Sequence, residues 1–296
     1  MVRRTWLIAL AVWAVLAAVA VAAPPYKALI VDGQNAHPWK ETSPVLKKLL
    51  EETGLFTVDV ATSPPKGTKE KPADMSEFKP DFAAYTVVVL NYQGDEWPKE
   101  TRKAFVDFVK QGGGVVVYHF ACAAFPKWKE YNEIIGLGGW GGRDEKSGPY
   151  VRWCDGKFVR DTSPGKGGGH GPAQEFKVEV RDPDHPITKG LPPAFMQCKD
   201  ELYGWLRGPA KNLKVLATAF APKSLGGAEE HEPILFTVQY GKGRVFFQAM
   251  GHTAKELKSV AFIATFQRGT EWAACGQVTQ KVPADFPGPD KPSVRE

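Results

Sequence analysis

Apolar residues gather in Tyr26–Asp32 (YKALIVD), an unbroken run ending in a polar loop, the pattern of a strand buried on both faces. Val45, Leu46, Leu49 and Leu50 then recur at helical spacing within Ser43–Thr53, and Gly54 closes that helix. Phe56–Thr62 reads as a second strand, and the Pro- and Lys-rich residues 63–82 as a surface connection. Thr86–Tyr92 is a third strand. Lys99–Lys110 is an amphipathic helix with Ala104, Phe105, Phe108 and Val109 on one side. Gly112–Gly114 ends it, and Val115–His119 is a fourth strand. Such alternation predicts right-handed βαβ units, hence an α/β fold with a parallel sheet and helices on both faces.

The second half reads differently. Residues 138–173 are glycine-rich, with Trp140 and the run Gly167-Gly-Gly-His-Gly171, and are expected to form an irregular insertion over the ligand face. Strand patterns return at 176–181, 214–220, 234–240 and 244–250. Tyr240-Gly-Lys-Gly-Arg244 makes a tight turn between the last two, so an antiparallel hairpin is expected at one edge of the sheet. A helix is predicted over 259–273, and 281–296 is a Pro/Gly-rich tail. The folded domain is thus expected over 24–280.

The amino end changes the cellular picture. Met1-Val-Arg-Arg4, the apolar run from Trp6 to Ala23 and Pro24-Pro25 have the order of a secretory signal peptide over 1–23. The chain is therefore expected to be exported to a periplasmic or extracellular location. It would meet a membrane only through that segment if uncleaved, the run being near the length of a spanning helix. Without it, 36 basic residues face 33 acidic ones, a net charge of +3 with no basic block, and nucleic-acid binding is not expected. Cys122, Cys154, Cys198 and Cys275 show no C-x-x-C spacing, which speaks against a structural zinc knuckle. They could pair in an exported chain, although Cys122 is expected to lie buried and inert.

Candidate chemistry collects at strand ends. Asn35 and His37 follow the first strand, Tyr92 and Gln93 the third, His119 the fourth and His252 the last. In an open parallel sheet these loops share the ligand-binding edge, so His37, His119 and His252 are expected to converge with Asn35 and Gln93. Asp200-Glu-Leu-Tyr203 adds two carboxylates. Neighbours in an extended segment point opposite ways, so one of them enters a site, and Glu201 is favoured. His119, His252 and Glu201 form the candidate catalytic core. His37, His119 and His252 form the candidate ligand set for a divalent metal such as zinc, and the same groups could serve as acid–base catalysts without one. Tyr92, Trp140 and Tyr203 offer faces to a sugar ring. With neither a G-x-G-x-x-G nor a Walker loop, no nucleotide cofactor is expected, and without G-x-S-x-G an ordinary serine hydrolase is disfavoured.

The ordered set resembles the ThuA-like (trehalose utilisation) family. It comprises Lys27–Asp32 with Asn35 and His37, Phe108-Val-Lys-Gln-Gly-Gly-Gly114 leading into Val117-Tyr-His119, Asp184-His-Pro-Ile187, Asp200-Glu-Leu-Tyr203, and Gly241-Lys-Gly-Arg-Val-Phe-Phe247 leading into Gly251-His252. The resemblance spans about residues 26–272. It implies a three-layer, flavodoxin-like fold related to class I glutamine amidotransferases, with His119 where their catalytic cysteine stands, so amidotransferase activity is not implied. The family's link to sugar pathways implies a small carbohydrate ligand, including keto-glycosides, and an enzyme of hydrolase or lyase type. The alternative is a carbohydrate- or partner-binding domain without catalysis.

Overall fold

In a computed structural model, the structure describes residues 24–68 and 70–296. The expected signal segment, residues 1–23, lies outside them. No helix among the described residues is long and apolar enough to cross a membrane.

The described residues build one nine-stranded sheet and a separate two-stranded one. The parallel half comprises β1 (Tyr26–Asp32), β2 (Phe56–Thr62), β3 (Val87–Leu90), β4 (Gly114–Tyr118) and β11 (Gly243–Gln248), in the order β2-β1-β3-β4-β11. Val115, Val116 and Val117 at its centre are fully buried, as befits β-branched residues covered on both faces. Helices α1 (Trp39–Glu51), α2 (Lys99–Gln111), α3 (Lys129–Ile135) and α4 (Val260–Cys275) flank it. α4 packs across β3, β4 and β11 and touches α1.

The antiparallel part is larger than one edge hairpin. The sheet continues through β10 (Glu230–Tyr240), β9 (Leu213–Ala221), β7 (Gln174–Val180) and β8 (Ala194–Asp200), every neighbour antiparallel. The β10–β11 hairpin is the seam between the halves, not an edge. Phe236 and Phe247 pair across it with rings stacked 4.3 Å apart, a cross-strand contact of the kind that pins register.

The 138–173 segment is also more ordered than expected. It contains the hairpin β5 (Tyr150–Cys154) and β6 (Lys157–Asp161). Arg207, fully buried, ties the rest down by donating to the carbonyls of Gly148, Ser163 and Gly165. Residues 281–296 dock on the body: Val260 N donates to the Ser293 carbonyl, and Phe286 packs on Phe195. All four cysteines are free thiols; Cys122 is buried, and burial pushes its thiol up to about 12.

Candidate functional site

β4 stops at Tyr118, one residue short of the strand expected from sequence. His119 opens a 3-10 turn over His119–Ala123 with φ +45°, a left-handed conformation rare for a side-chain-bearing residue and a recurrent mark of functional turns. That turn swings its imidazole towards the loops after β1 and β11. The ring centroids of His37 and His119 are 4.9 Å apart, those of His37 and His252 4.7 Å, and those of His119 and His252 5.6 Å. The three histidines converge.

Glu201 sits among them. Although β8 is last in sheet order, its end reaches the turn after β11. Asp200, fully buried, accepts hydrogen bonds there from Gly251 N (2.7 Å) and His252 N (3.2 Å). Two further donors, Gln197 Nε2 and Glu201 N, complete its shell. Burial raises the Asp200 pKa, and the backbone N–H groups and His119 oppose that. The two carboxylates thus part: Asp200 is a structural clamp, and Glu201 faces the imidazoles.

The distances around Glu201 decide what the cluster resembles. Its Oε2 lies 3.7 Å from His37 Nε2 and 3.6 Å from His119 Nε2, and its Oε1 lies 3.5 Å from both His170 Nε2 and His252 Nε2. These gaps are long for charge-assisted hydrogen bonds, which run about 2.7–2.9 Å. Ligands set tetrahedrally ~2.1 Å from a zinc ion stand roughly 3.4 Å from one another. Glu201 Oε2 and His37 Nδ1 are buried without a hydrogen-bond partner. Among the described residues, donor atoms of His37, Glu201 and His252 all lie within 4.8 Å of one another. Burial works against charge on Glu201, but the surrounding histidines outweigh it and hold the carboxyl well below its usual range.

His119 stands outside that trio. Its Nδ1 is 2.5 Å from the Ala249 carbonyl, which can only accept, so the ring proton sits on Nδ1. Nε2 then accepts from the Tyr203 hydroxyl at 2.7 Å, the two rings stacking at 4.3 Å. Burial lowers the His119 pKa and raises that of Tyr203 well above its ordinary value, so both are neutral in this arrangement. The expected metal-ligand place for His119 therefore gives way to a hydrogen-bonded pair beside the trio.

The other expected residues divide. Trp140, half-buried with φ +58°, packs edge-on to Tyr203 at 4.7 Å and to Phe120 at 5.1 Å, so it lines the site. Asn35 shapes the site indirectly: its Oδ1 accepts from His37 N and its Nδ2 donates to Asn91. Gln93 is half-buried, with its backbone N–H on the Gln34 carbonyl. Tyr92 is no ligand face. It is buried with its hydroxyl on the Asp95 carbonyl and its ring among Phe78, Trp97 and Phe125, because it turns towards the core side of the strand end. Two neighbours stand outside the expected site set: His170, which in sequence could either close over a ligand or lie in solvent, and Phe120, whose ring is 4.4 Å from that of His37. The isolated histidine in a glycine run was the available signal for the first.

The sequence profile of the ThuA family, described as trehalose utilisation, matches residues 27–273. A crystal structure of a protein described as ThuA-like from Parabacteroides merdae is 47% identical, with a TM-score of 0.88 over 92% of this chain and 98% of that one. A second, from Bacteroides uniformis, shares the fold at 21% identity and a TM-score of 0.57, covering 90% of this chain and 97% of that one. No protein with a curated description matches. With a profile match over nearly the whole described chain, the protein belongs to the ThuA, or trehalose utilisation, family.

Proposed function

We propose that this chain is an exported, metal-dependent enzyme acting on a sugar or keto-glycoside, built on a three-layer flavodoxin-like core. His37, His252 and Glu201 would hold a divalent cation such as zinc. The carrying observation is that donor atoms of His37, Glu201 and His252 all lie within 4.8 Å of one another, with Glu201 3.7 Å from His37 Nε2 and 3.5 Å from His252 Nε2, gaps long for hydrogen bonds and suited to donors sharing one ion. The orphaned Glu201 Oε2 fits the same reading, since a buried polar atom left without a partner is costly. Two imidazoles and a carboxylate are a donor set that zinc accepts, with a position left for substrate.

Such an ion, when bound, polarises a carbonyl and acidifies water. The chain's residues supply the rest. Asp200 fixes the Gly251–His252 backbone and so sets where the His252 ring stands. The Tyr203 hydroxyl, kept protonated by burial, holds a proton at His119 Nε2 at the site wall. Trp140 and Phe120 supply apolar surface against the C–H face of a sugar ring. Cys122 plays no part as a nucleophile, because burial keeps it as the thiol.

Chelator-treated protein should regain one divalent ion per chain when zinc, manganese or calcium is restored. Turnover of a panel of glycosides and their 3-keto forms should follow the metal. Failure to bind any of these cations sinks the metal-dependent reading. Full metal occupancy without turnover on the panel would shift the site to carbohydrate binding alone.

A further inference from the structure

His170 reaches the same carboxylate from a loop built to deliver it. A Cβ on Gly168 would fall 2.6 Å from Trp140 N and 2.7 Å from Gly139 Cα, and one on Gly171 only 1.7 Å from the Leu225 carbonyl oxygen. The backbone therefore runs pressed against two neighbouring segments, an approach that only glycine permits. Three main-chain bonds pin it: Trp140 N to the Gly167 carbonyl (2.6 Å), Gly168 N to the Trp205 carbonyl (2.8 Å) and Gly204 N to the Gly169 carbonyl (2.8 Å).

The imidazole's own bonding shows which nitrogen faces the carboxylate. Nδ1 lies 2.7 Å from the Gly171 carbonyl, an acceptor, so Nδ1 carries a proton and Nε2 is the atom turned towards Glu201. Nε2 faces Glu201 Oε1 across 3.5 Å. That gap is long for a charge-assisted hydrogen bond and matches the spacing of two donors on one ion. A second-atom N–H donated to a backbone carbonyl is also the usual way that a metal-bound histidine is oriented. His119 has the same Nδ1 arrangement, but Tyr203 already fills its Nε2. His170 Nε2 has no such occupant, and its side chain is one-third exposed.

We propose that His170 is a fourth, loop-borne protein ligand of the cation held by His37, His252 and Glu201, and the one that substrate displaces. This rests on the metal reading above. His170 Nε2 stands 3.5 Å from Glu201 Oε1 but lies outside the three donors within 4.8 Å of one another, so it is the outermost donor and the one a substrate oxygen would replace. The exchange breaks one N-to-metal dative bond as a substrate oxygen forms another, with no change of redox state.

The test uses the full chain and Co(II) alone, read by visible absorption and titration. Wild type should bind one Co(II). His170→Ala should bind at least about tenfold more weakly, comparable with the loss of an orienting partner at a metal site, and its visible bands should weaken as water replaces nitrogen. Gly168→Ala, which displaces the loop and leaves the imidazole intact, should act in the same direction. A His170→Ala protein with wild-type affinity and spectrum overturns this assignment while leaving the metal reading standing. Absence of Co(II) binding by wild type overturns both.

Discussion

Asp200 and Glu201 are neighbours in the chain with opposite duties, and elementary strand geometry separates them. Asp200 turns inward and receives four N–H donors, so its charge is compensated by dipoles. Glu201 turns outward to four imidazole nitrogens and hydrogen-bonds none of them closely. Mutation should expose the difference. Asp200→Asn sets an amide NH2 against Gly251 N–H or His252 N–H. Gln197 can flip, because the Ser259 hydroxyl accepts as well as donates, but the backbone N–H of Gly251 or His252 cannot reverse and stays unpaired. Denaturant unfolding should show a loss of roughly 2 kcal/mol or more, the cost of buried donors left unpaired. Glu201→Gln keeps the side chain's shape and gives up only the long imidazole contacts that hold the carboxyl below its usual range, so at neutral pH the metal-free protein should lose some stability, but less than Asp200→Asn does, while its cation affinity falls sharply. Equal stability losses in the two variants would refute this division of labour. The sequence could show that only one carboxylate enters the site; which backbone the other one clamps depends on a contact fifty residues away.

Among the elements, turns carry more of the site than strands do. The parallel strands were legible because Val- and Ile-rich runs bounded by glycines and polar loops leave little choice, and the histidine loops followed from their shared edge. β8 was not legible. Its inward positions include Gln197 and Asp200, polar residues that serve Ser259 and the Gly251 turn, so the apolar alternation that marks a half-buried strand is broken. The 138–173 order was hidden for a related reason: it depends on buried Arg207, which in sequence looks like any surface arginine. The turn after β11 shows how narrowly such elements are specified. Gly251 has φ +100°, and a Cβ there would lie 2.6 Å from Phe262 Cε2 and 3.0 Å from Tyr118 Cε2. Gly251→Ala should therefore cost about 1–3 kcal/mol in thermal unfolding, and it should weaken cation binding by displacing His252. Wild-type cation affinity in this variant would mean that the turn does not position the ring.

At the scale of the whole molecule, the site joins the two halves of the sheet. His37 and His252 come from the ends of the parallel strands β1 and β11, whereas Glu201 comes from β8 at the far end of the antiparallel half. On the metal reading proposed above, a cation held by all three would crosslink segments separated by most of the chain and would bind the folded state alone. Ligand linkage then predicts about 2.7 kcal/mol of added stability when free metal stands at 100 times its dissociation constant. For a domain of this size each kcal/mol moves Tm by about 2–4 °C, so saturating zinc should raise Tm by roughly 5–10 °C over chelated protein. The same titration should move Glu201→Gln and His252→Ala by much less, because each removes a donor that spans the two halves. A Tm that ignores zinc in wild type, or rises equally in all three proteins, would place any bound ion away from this junction.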